Sequence, residues 1–368
     1  MSVVVRNSFT VSEIDPIQGF EKIFIFTNKS PPVKGIIVLH NTLNGPALGG
    51  LRLHDYANFH DGMRDALQLA RAMTFKNAIM DLPYGGGKSI IFSTSRCSRN
   101  DTLEIFAEVL NYLNGEYLTT DDVGTSVKDM YFLRKFTPFA RGLHSNGTQI
   151  PATSYGVYQA IKATLNYYSN VKKLNGLKVV VNGLGKVGYP LCQYLHKEGC
   201  MLYVNDKVNE LVIKAVQEFN AIPINLNDTH PFEADIFSPC ALGNTVDEAL
   251  LSKLHVKYII GGENNPLASQ EIEKILLKKN IIYIPDYLSN AGGVIDIACE
   301  GENYSEEFVL SNISKIYDKT IDILSKAHST HKTPLEICNE YVHTQLNLVE
   351  KDVEFFPWDT LHNELAFI

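Results

Sequence analysis

LKVVVNGLGKVGYPLCQYLHKEGCMLYVND, residues 177–206, reads as strand, glycine-rich turn, helix and second strand, which is one βαβ unit of about 30 residues. Gly183, Gly185 and Gly188 follow the first strand in the order G-x-G-x-x-G, and Asp206 closes the second strand. In that context the first glycine permits a tight turn, the second admits a pyrophosphate against the backbone, and the third lets helix and strand pack closely. The phosphates then lie at a helix N-terminus, where unpaired amides and the helix dipole favour an anion. Leu184, Lys186 and Val187 complete the cradle. Asp206 is placed to accept from the adenosine ribose hydroxyls and to repel the extra 2′-phosphate of NADP, so the expected cofactor is NAD. Lys207 beside it would partly neutralise such a phosphate and keeps NADP as the alternative.

Outward from this unit, apolar runs at 235–237, 256–260 and 281–284 supply further strands separated by helical or polar stretches. A parallel, doubly wound sheet follows. Upstream, 23–26 and 35–40 read as strands, and Met63, Ala66, Leu67, Ala70 and Met73 recur at helical spacing over 61–75, which puts Lys76 just beyond a helix end. Asp101 with Glu104 resembles a capping box for a second helix that runs to about residue 114 and is closed by Gly115. The expected class is α/β with two domains separated by an active-site cleft. Residues 1–148 form an α/β domain for substrate, catalysis and oligomerisation, and 149–335 a Rossmann dinucleotide-binding domain joined to it by a helix over about 153–168. Residues 336–368 form a helical segment returning to the first domain.

The chain has 368 residues, enough for two cores. Its 33 basic against 41 acidic residues, a net charge of −8, argue against a nucleic-acid footprint. No apolar run approaches a membrane span and the N-terminus lacks an apolar leader, so a cytoplasmic protein is expected. Six cysteines without a CxxC pair suggest neither a disulfide framework nor zinc. His328 and His331 form an HxxH without an acidic or cysteine neighbour, and no metal is expected.

Residues 45–89 hold Lys76 and Lys88, the second behind Gly85, Gly86 and Gly87. Three glycines in succession read as chemistry rather than packing, because they suit a main chain that approaches something closely or adopts positive φ. A phosphate-binding loop is ruled out, since G-x-x-x-x-G-K-[ST] needs glycine where the chain has Leu82.

The blocks GPALGG, MTFKNA, LPYGGGKS, TTDDVGTS, GLGKVG, FSPCALG and DYLSNAGGVI occur here in the order found in the glutamate/leucine/phenylalanine/valine dehydrogenase family, and the chain resembles that family, its leucine branch above all. The resemblance implies Lys88 as general base, Lys76 as the group that binds the substrate α-carboxylate with main-chain help around Gly49 and Gly50, and Asp122 as proton shuttle to the nitrogen. It places Thr153 and Asn290 near the nicotinamide, although a helix cap and a turn residue are their plain readings. It puts Leu48, Val294 and Ile297 against the substrate side chain. Glutamate-specific relatives carry lysine and serine at the Leu48 and Ile297 positions; an apolar pocket would leave a distal carboxylate desolvated and unpaired.

The implied reaction is reversible oxidative deamination of an apolar, branched-chain L-amino acid to the 2-oxo acid and ammonia, in a homo-oligomer, a dimer or octamer. Phenylalanine or tryptophan as substrate stays open, because one methylene of pocket shape is worth only about 1–3 kcal/mol. A 2-hydroxy-acid dehydrogenase and a non-catalytic NAD-binding regulatory protein are the other readings. The chain departs from the family pattern at Gln149, Ile150 and Pro151, at Lys186, and at Glu263 in GGENNP, where small residues are common in the leucine branch.

Overall fold

In the first part of the chain, runs such as 23–26 and 36–39 are apolar at every position, the pattern of strands covered on both faces. The computed structural model describes residues 2–5, 9–14, 17–93, 97–143, 150–170, 173–228 and 230–348. The first part builds β1 (Ser2–Val5), β2 (Thr10–Ile14), β3 (Lys22–Lys29), β4 (Pro32–Asn41), β5 (Ala47–His54), α1 (Phe59–Ile79), β6 (Gly85–Phe92), α2 (Arg99–Leu113), β7 (Tyr117–Asp121) and α3 (Val127–Leu133). The strands form one sheet in the order β1-β2-β3-β4-β6-β5-β7, antiparallel as far as β6 and parallel across β6, β5 and β7. Ile23, Ile25, Ile36, Val38 and Ile90 pack on one face against Met63, Ala66, Leu67 and Ala70 of α1. Phe24, Phe26, Ile37 and Leu39 face Leu103, Phe106 and Leu110 of α2 on the other.

Two local expectations are corrected. Helix α1 continues through Lys76 to Ile79, because Ala78 and Ile79 extend its apolar face and buried Asn77 donates to the Gly85 carbonyl at 2.6 Å. Helix α2 starts at Arg99 and its N-cap is Ser98, whose side chain accepts from the Asp101 amide; Asp101 belongs to the first turn.

The second part builds α4 (Ala152–Ser169), β8 (Lys178–Asn182), α5 (Gly188–Lys197), β9 (Met201–Asn205), α6 (Asn209–Phe219), β10 (Ile222–Pro223), β11 (Phe232–Glu233), β12 (Ile236–Pro239), α7 (Glu248–Lys253), β13 (Leu254–His255), β14 (Tyr258–Ile259), α8 (Glu271–Lys278), β15 (Ile282–Tyr283), α9 (Asp286–Ser289), α10 (Gly292–Ala298), α11 (Glu306–Thr330) and α12 (Pro334–Leu346). Six strands form a parallel sheet in the order β10-β9-β8-β12-β14-β15, and β11 pairs with β13 beside it. The chain runs outward from β8 through β9 to one edge and from β12 through β14 to the other, so the strand order reverses between β8 and β12. Ligands of such sheets bind in the crevice beyond the carboxyl ends of the strands at that point.

The 25-residue helix α11 was not read from the sequence; it packs along α4. Phe75, Ala78 and Ile79 from the end of α1 share one core with Ile337 and Val342 of α12, and the Phe75 ring meets His343 edge-on at 5.7 Å. Gln149 and residues 349–368 lie outside the described residues. Among those described, no helix is long and apolar enough to cross a membrane.

Candidate active site

The carboxyl ends of β5 and β7 and the middle of β6 converge on one ion cluster. Lys88, 4 % exposed, extends from β6 to Asp122, which follows β7, and its Nζ donates to Asp122 Oδ2. The Asp122 backbone is fixed because its amide donates to Thr125 Oγ1 at 2.9 Å, and that hydroxyl donates to the Leu51 carbonyl at 2.8 Å. Arg52, on β5, donates from Nε to the same Asp122 Oδ2 at 3.0 Å and from Nη1 to Asp65 Oδ2 at 2.6 Å. Tyr56 donates its hydroxyl to Asp65 as well.

Burial pushes the Lys88 ammonium below its ordinary value; Asp122 opposes that shift and Arg52 adds to it. For Asp122 burial works toward a higher value, but Lys88 and Arg52 outweigh it and hold the carboxyl well below the usual carboxylate range. The site therefore pairs a carboxylate that is ionised at neutral pH with an amine whose proton is loosely held.

Gly50 leaves the room this cluster occupies. A Cβ there would lie 2.7 Å from Asp122 Cβ and 3.2 Å from Lys88 Nζ, while one on Gly49 would meet the Gly87 carbonyl oxygen at 1.8 Å. The glycine run before Lys88 is a different matter. Gly85, Gly86 and Gly87 are buried in β6, and none has positive φ. Their missing side chains make way for Asn41 O at 1.9 Å, the Thr74 amide of α1 at 2.1 Å and Val38 O at 2.9 Å respectively. The reading of this run as chemistry rather than packing is thus corrected: the close approach is real, but it is made by the chain's own backbone.

Lys76 projects from the last turn of α1 toward the second domain and donates to Asn264 Oδ1 at 3.1 Å. Burial lowers its pKa, with Asp286 and Asp122 opposing and Lys88 reinforcing the shift. Asn290, 3 % exposed, donates from Nδ2 to the same Asn264 oxygen at 2.9 Å. Its own Oδ1 is buried without a hydrogen-bond partner among the described residues, an acceptor that a ligand amide or hydroxyl would satisfy.

The glycine-rich turn fits a dinucleotide. Gly183 has φ +100°, and a Cβ there would meet Cys240 O at 2.7 Å; one on Gly188, the first residue of α5, would meet Gly183 O at 1.8 Å. Gly185 differs, because nothing in the protein lies within 4 Å of its Cβ position. That leaves the open room that the close approach of a pyrophosphate to this backbone would need. Asp206 accepts from the amides of Leu184 and, at 2.7 Å, Val208, which fixes its carboxylate at the end of β9. Lys186 is exposed and acts electrostatically on Asp121 of the first domain. Val187 O accepts from Ser154 Oγ at 2.7 Å, which ties the turn to α4.

Thr153, in the first turn of α4, lies beneath α10, where a Cβ on Gly293 would come 3.1 Å from its hydroxyl. Leu48 has no exposed surface on β5, between β6 and the edge strand β7, Val294 is buried, and Ile297 is half-buried on α10.

Sequence reading missed Arg52, Asp65, Asn264 and Asp286. Arg52 had a signal, since it stands two residues beyond Gly50 in a strand and so shares its face. Asp65 had none. Glu263 was noted only as a departure. It is 2 % exposed and accepts from the amides of Ala241 at 3.2 Å and Thr245 at 3.0 Å and from the Thr245 hydroxyl at 2.8 Å, pinning the loop after β12 that borders the glycine-rich turn. Burial raises its pKa.

Comparison with known proteins bears on what this arrangement is for. Residues 26–138 match the family described as Glu/Leu/Phe/Val dehydrogenase, dimerisation domain, and residues 201–350 match Glutamate/Leucine/Phenylalanine/Valine dehydrogenase. The chain is 40% identical over 304 residues to leucine dehydrogenase of Geobacillus stearothermophilus, covering 81% of this chain and 83% of that one. It is 32% identical over 355 residues to phenylalanine dehydrogenase of Caldalkalibacillus thermarum, covering 94% and 96%. The crystal structure of L-tryptophan dehydrogenase from Nostoc punctiforme superposes with a TM-score of 0.78 at 33% identity, covering 90% and 96%.

Proposed function

The chain belongs to the Glu/Leu/Phe/Val dehydrogenase family, NAD-dependent oxidoreductases acting on CH–NH2 donors, and from that premise we propose that it catalyses reversible oxidative deamination of an apolar, branched-chain L-amino acid, such as leucine or valine, to the 2-oxo acid and ammonia. The observation that carries the proposal is the buried Lys88, with its lowered pKa, held on an ionised Asp122 beside the space left by Gly50.

In this reading Lys76 binds the substrate α-carboxylate with main-chain help at Gly49 and Gly50, and so fixes Cα between the two domains. When bound, NAD would supply the hydride acceptor for Cα, whose oxidation leaves an imine on the substrate. Neutral Lys88 takes a proton from water as that water adds to the imine carbon. Asp122 relays that proton from Lys88 to the departing nitrogen, and the carbinolamine collapses to 2-oxo acid and ammonia as its hydroxyl proton passes back to Lys88. Residues 183–188, Asp206, Thr153 and Asn290 would hold the dinucleotide. Leu48, Val294 and Ile297 would line the side-chain pocket, whose apolar character disfavours a distal carboxylate.

We divide the labour accordingly: 1–148 for substrate and catalysis, 149–335 for dinucleotide, and 336–368 returning to the first domain. Residues 26–138 match a dimerisation domain, which supports a homo-oligomer built through that part. Similarity to tryptophan and phenylalanine dehydrogenases favours an aromatic substrate as the second reading.

The test is NADH oxidation with 4-methyl-2-oxopentanoate, 3-methyl-2-oxobutanoate, phenylpyruvate, indolepyruvate and 2-oxoglutarate, each with and without ammonia. Ammonia-dependent turnover, fastest on the branched 2-oxo acids, is expected. Turnover without ammonia would reject the reaction, and preference for the aromatic 2-oxo acids would replace the substrate.

A further inference from the structure

The geometry points to Arg52 as the residue that makes Lys88 a base, by occupying the carboxylate oxygen on which the ammonium sits. The inference rests on the reading of Lys88 as general base and deepens it.

A lysine alone with an aspartate in a buried site is a poor base. The carboxylate stabilises the ammonium, and the stronger the pair the higher the pH needed to remove its proton. In this chain Asp122 is not Lys88's alone. Lys88 Nζ and Arg52 Nε both donate to Oδ2 of Asp122, so one oxygen is divided between two cations. Arg52 cannot give up its proton, because the guanidinium stays charged throughout the accessible pH range. Any proton lost from the trio therefore leaves from Lys88.

The guanidinium is itself held in place. Its Nη1 donates to Asp65 on α1, and Tyr56 donates to the same carboxylate, so Arg52 spans from helix to active site with its side chain only 19 % exposed. This planar, two-ended grip is one an arginine makes and a lysine does not. The charged groups that act on Lys88 are Asp122 beyond β7, Arg52 on β5, and Asp65 and Lys76 on α1; Lys76 is in turn faced by Asp286 of α9. Within this set Arg52 and Asp65 touch Lys88 only through other groups, so they are positioning residues with opposite signs. Removing Arg52 returns Asp122 wholly to Lys88. Removing Asp65 releases Arg52 toward Asp122 and leaves its charge uncompensated beside the ammonium.

The opposite signs give the experiment. Profiles of kcat/KM against pH for oxidative deamination are recorded for the wild type, Arg52→Gln, Arg52→Lys, Asp65→Asn and Lys88→Ala, with NADH affinity followed by fluorescence titration. The substrate amino group titrates alike in every case, so differences between profiles belong to the protein. Arg52→Gln should move the ascending limb to higher pH, with kcat/KM about tenfold lower on that limb for each unit moved. Asp65→Asn should move it to lower pH, and Arg52→Lys should fall between wild type and Gln. NADH affinity should not change in any of them.

Loss of kcat/KM by one factor at every pH, or movement of both limbs in the same direction, would reduce Arg52 to a structural part and overturn the inference. Asp65→Asn keeps the test alive if Arg52→Gln does not fold. An unmoved limb in Arg52→Gln beside an inactive Lys88→Ala overturns the inference alone. A fully active Lys88→Ala removes the base assignment, and the inference falls with it.

Discussion

Gly185 and Gly188 stand three residues apart in one turn and lack side chains for different reasons. A methyl group on Gly188 has to displace the Gly183 carbonyl, whereas one on Gly185 meets nothing in the protein. Gly185→Ala should therefore leave thermal stability within about 0.5 kcal/mol of wild type while weakening NADH binding by roughly tenfold or more, equal to about 1.4 kcal/mol. Fluorescence titration beside a melting curve checks it, and unchanged affinity would show that no phosphate approaches that backbone. At Lys88 the separation runs the other way. Lys88→Ala should lower kcat by about 10²–10⁴, the span of a general base, with NADH affinity retained. Asp122 has a consequence for stability as well. Its folded pKa is depressed, so its contribution is fully present above the unfolded carboxyl value of 3.8 and is lost as pH falls through the folded value. Asp122→Asn should therefore abolish that part of the acid-induced loss. At neutral pH it should destabilise by about 3–5 kcal/mol, because Lys88 stays buried without its anion and Arg52 keeps only Asp65.

Between elements, the contact of β6 with α1 sets how far Lys88 and Lys76 stand apart, and Gly86 sets that contact. A Cβ at Gly86 would lie 2.1 Å from the Thr74 amide and 2.2 Å from its hydroxyl. Gly86→Ala should force the helix outward and cost about 1–3 kcal/mol, as overpacking does; a melting temperature equal to wild type would contradict it. This is also where the limits of sequence reading lie. The parallel sheet and its glycine turn were legible because a βαβ unit carries its punctuation locally, in three glycines and one aspartate. The glycines before Lys88 were misread, because what a missing side chain makes room for is decided by elements that lie earlier in the chain, α1 for Gly86 and β4 for Gly85 and Gly87. Lys76, Lys88 and Asp122 were read as candidates through their flanking blocks, whereas Arg52, Asp65, Asn264 and Asp286, which the structure brings beside them, were not. Their partners are remote in sequence, 70 positions apart for Arg52 with Asp122 and 188 for Lys76 with Asn264. No spacing announces such pairs. Helix α11 was passed over for a simpler reason: its length from Glu306 to Thr330 holds polar residues on much of its surface, and the buried stripe of Val309, Ile313, Ile316, Thr320 and Ile323 is narrow and interrupted by a threonine.

At the scale of the whole molecule, the fold has two domains, each built on its own large sheet, and relative motion of such domains is the ordinary expectation unless something large joins them. The join here is the end of α1. Phe75, Ala78 and Ile79 are embedded in the second core, and Asp81, just beyond the helix, receives Lys319 Nζ of α11 at 2.8 Å, the Tyr341 hydroxyl of α12 and Gln345 Nε2 at 3.2 Å. One carboxylate thus ties the C-terminal helices to the element that carries Lys76. Asp81 has φ +54°, a conformation that asparagine also tolerates, so Asp81→Asn removes the charge without straining the backbone. With the Asp81 side chain half exposed, the loss of global stability should be small, about 1 kcal/mol or less. The local effect should be larger. Backbone amides of α12 should exchange with deuterium several-fold faster in Asp81→Asn, whereas those of β8 and β12 should keep their wild-type rates, because the parallel sheet is not held through this contact. Unchanged exchange in α12 would mean that apolar packing of Ile337 and Val342 alone fastens the C-terminal helices. Equal acceleration in α12 and the sheet would mean that Asp81 stabilises the whole fold rather than the joint between its halves.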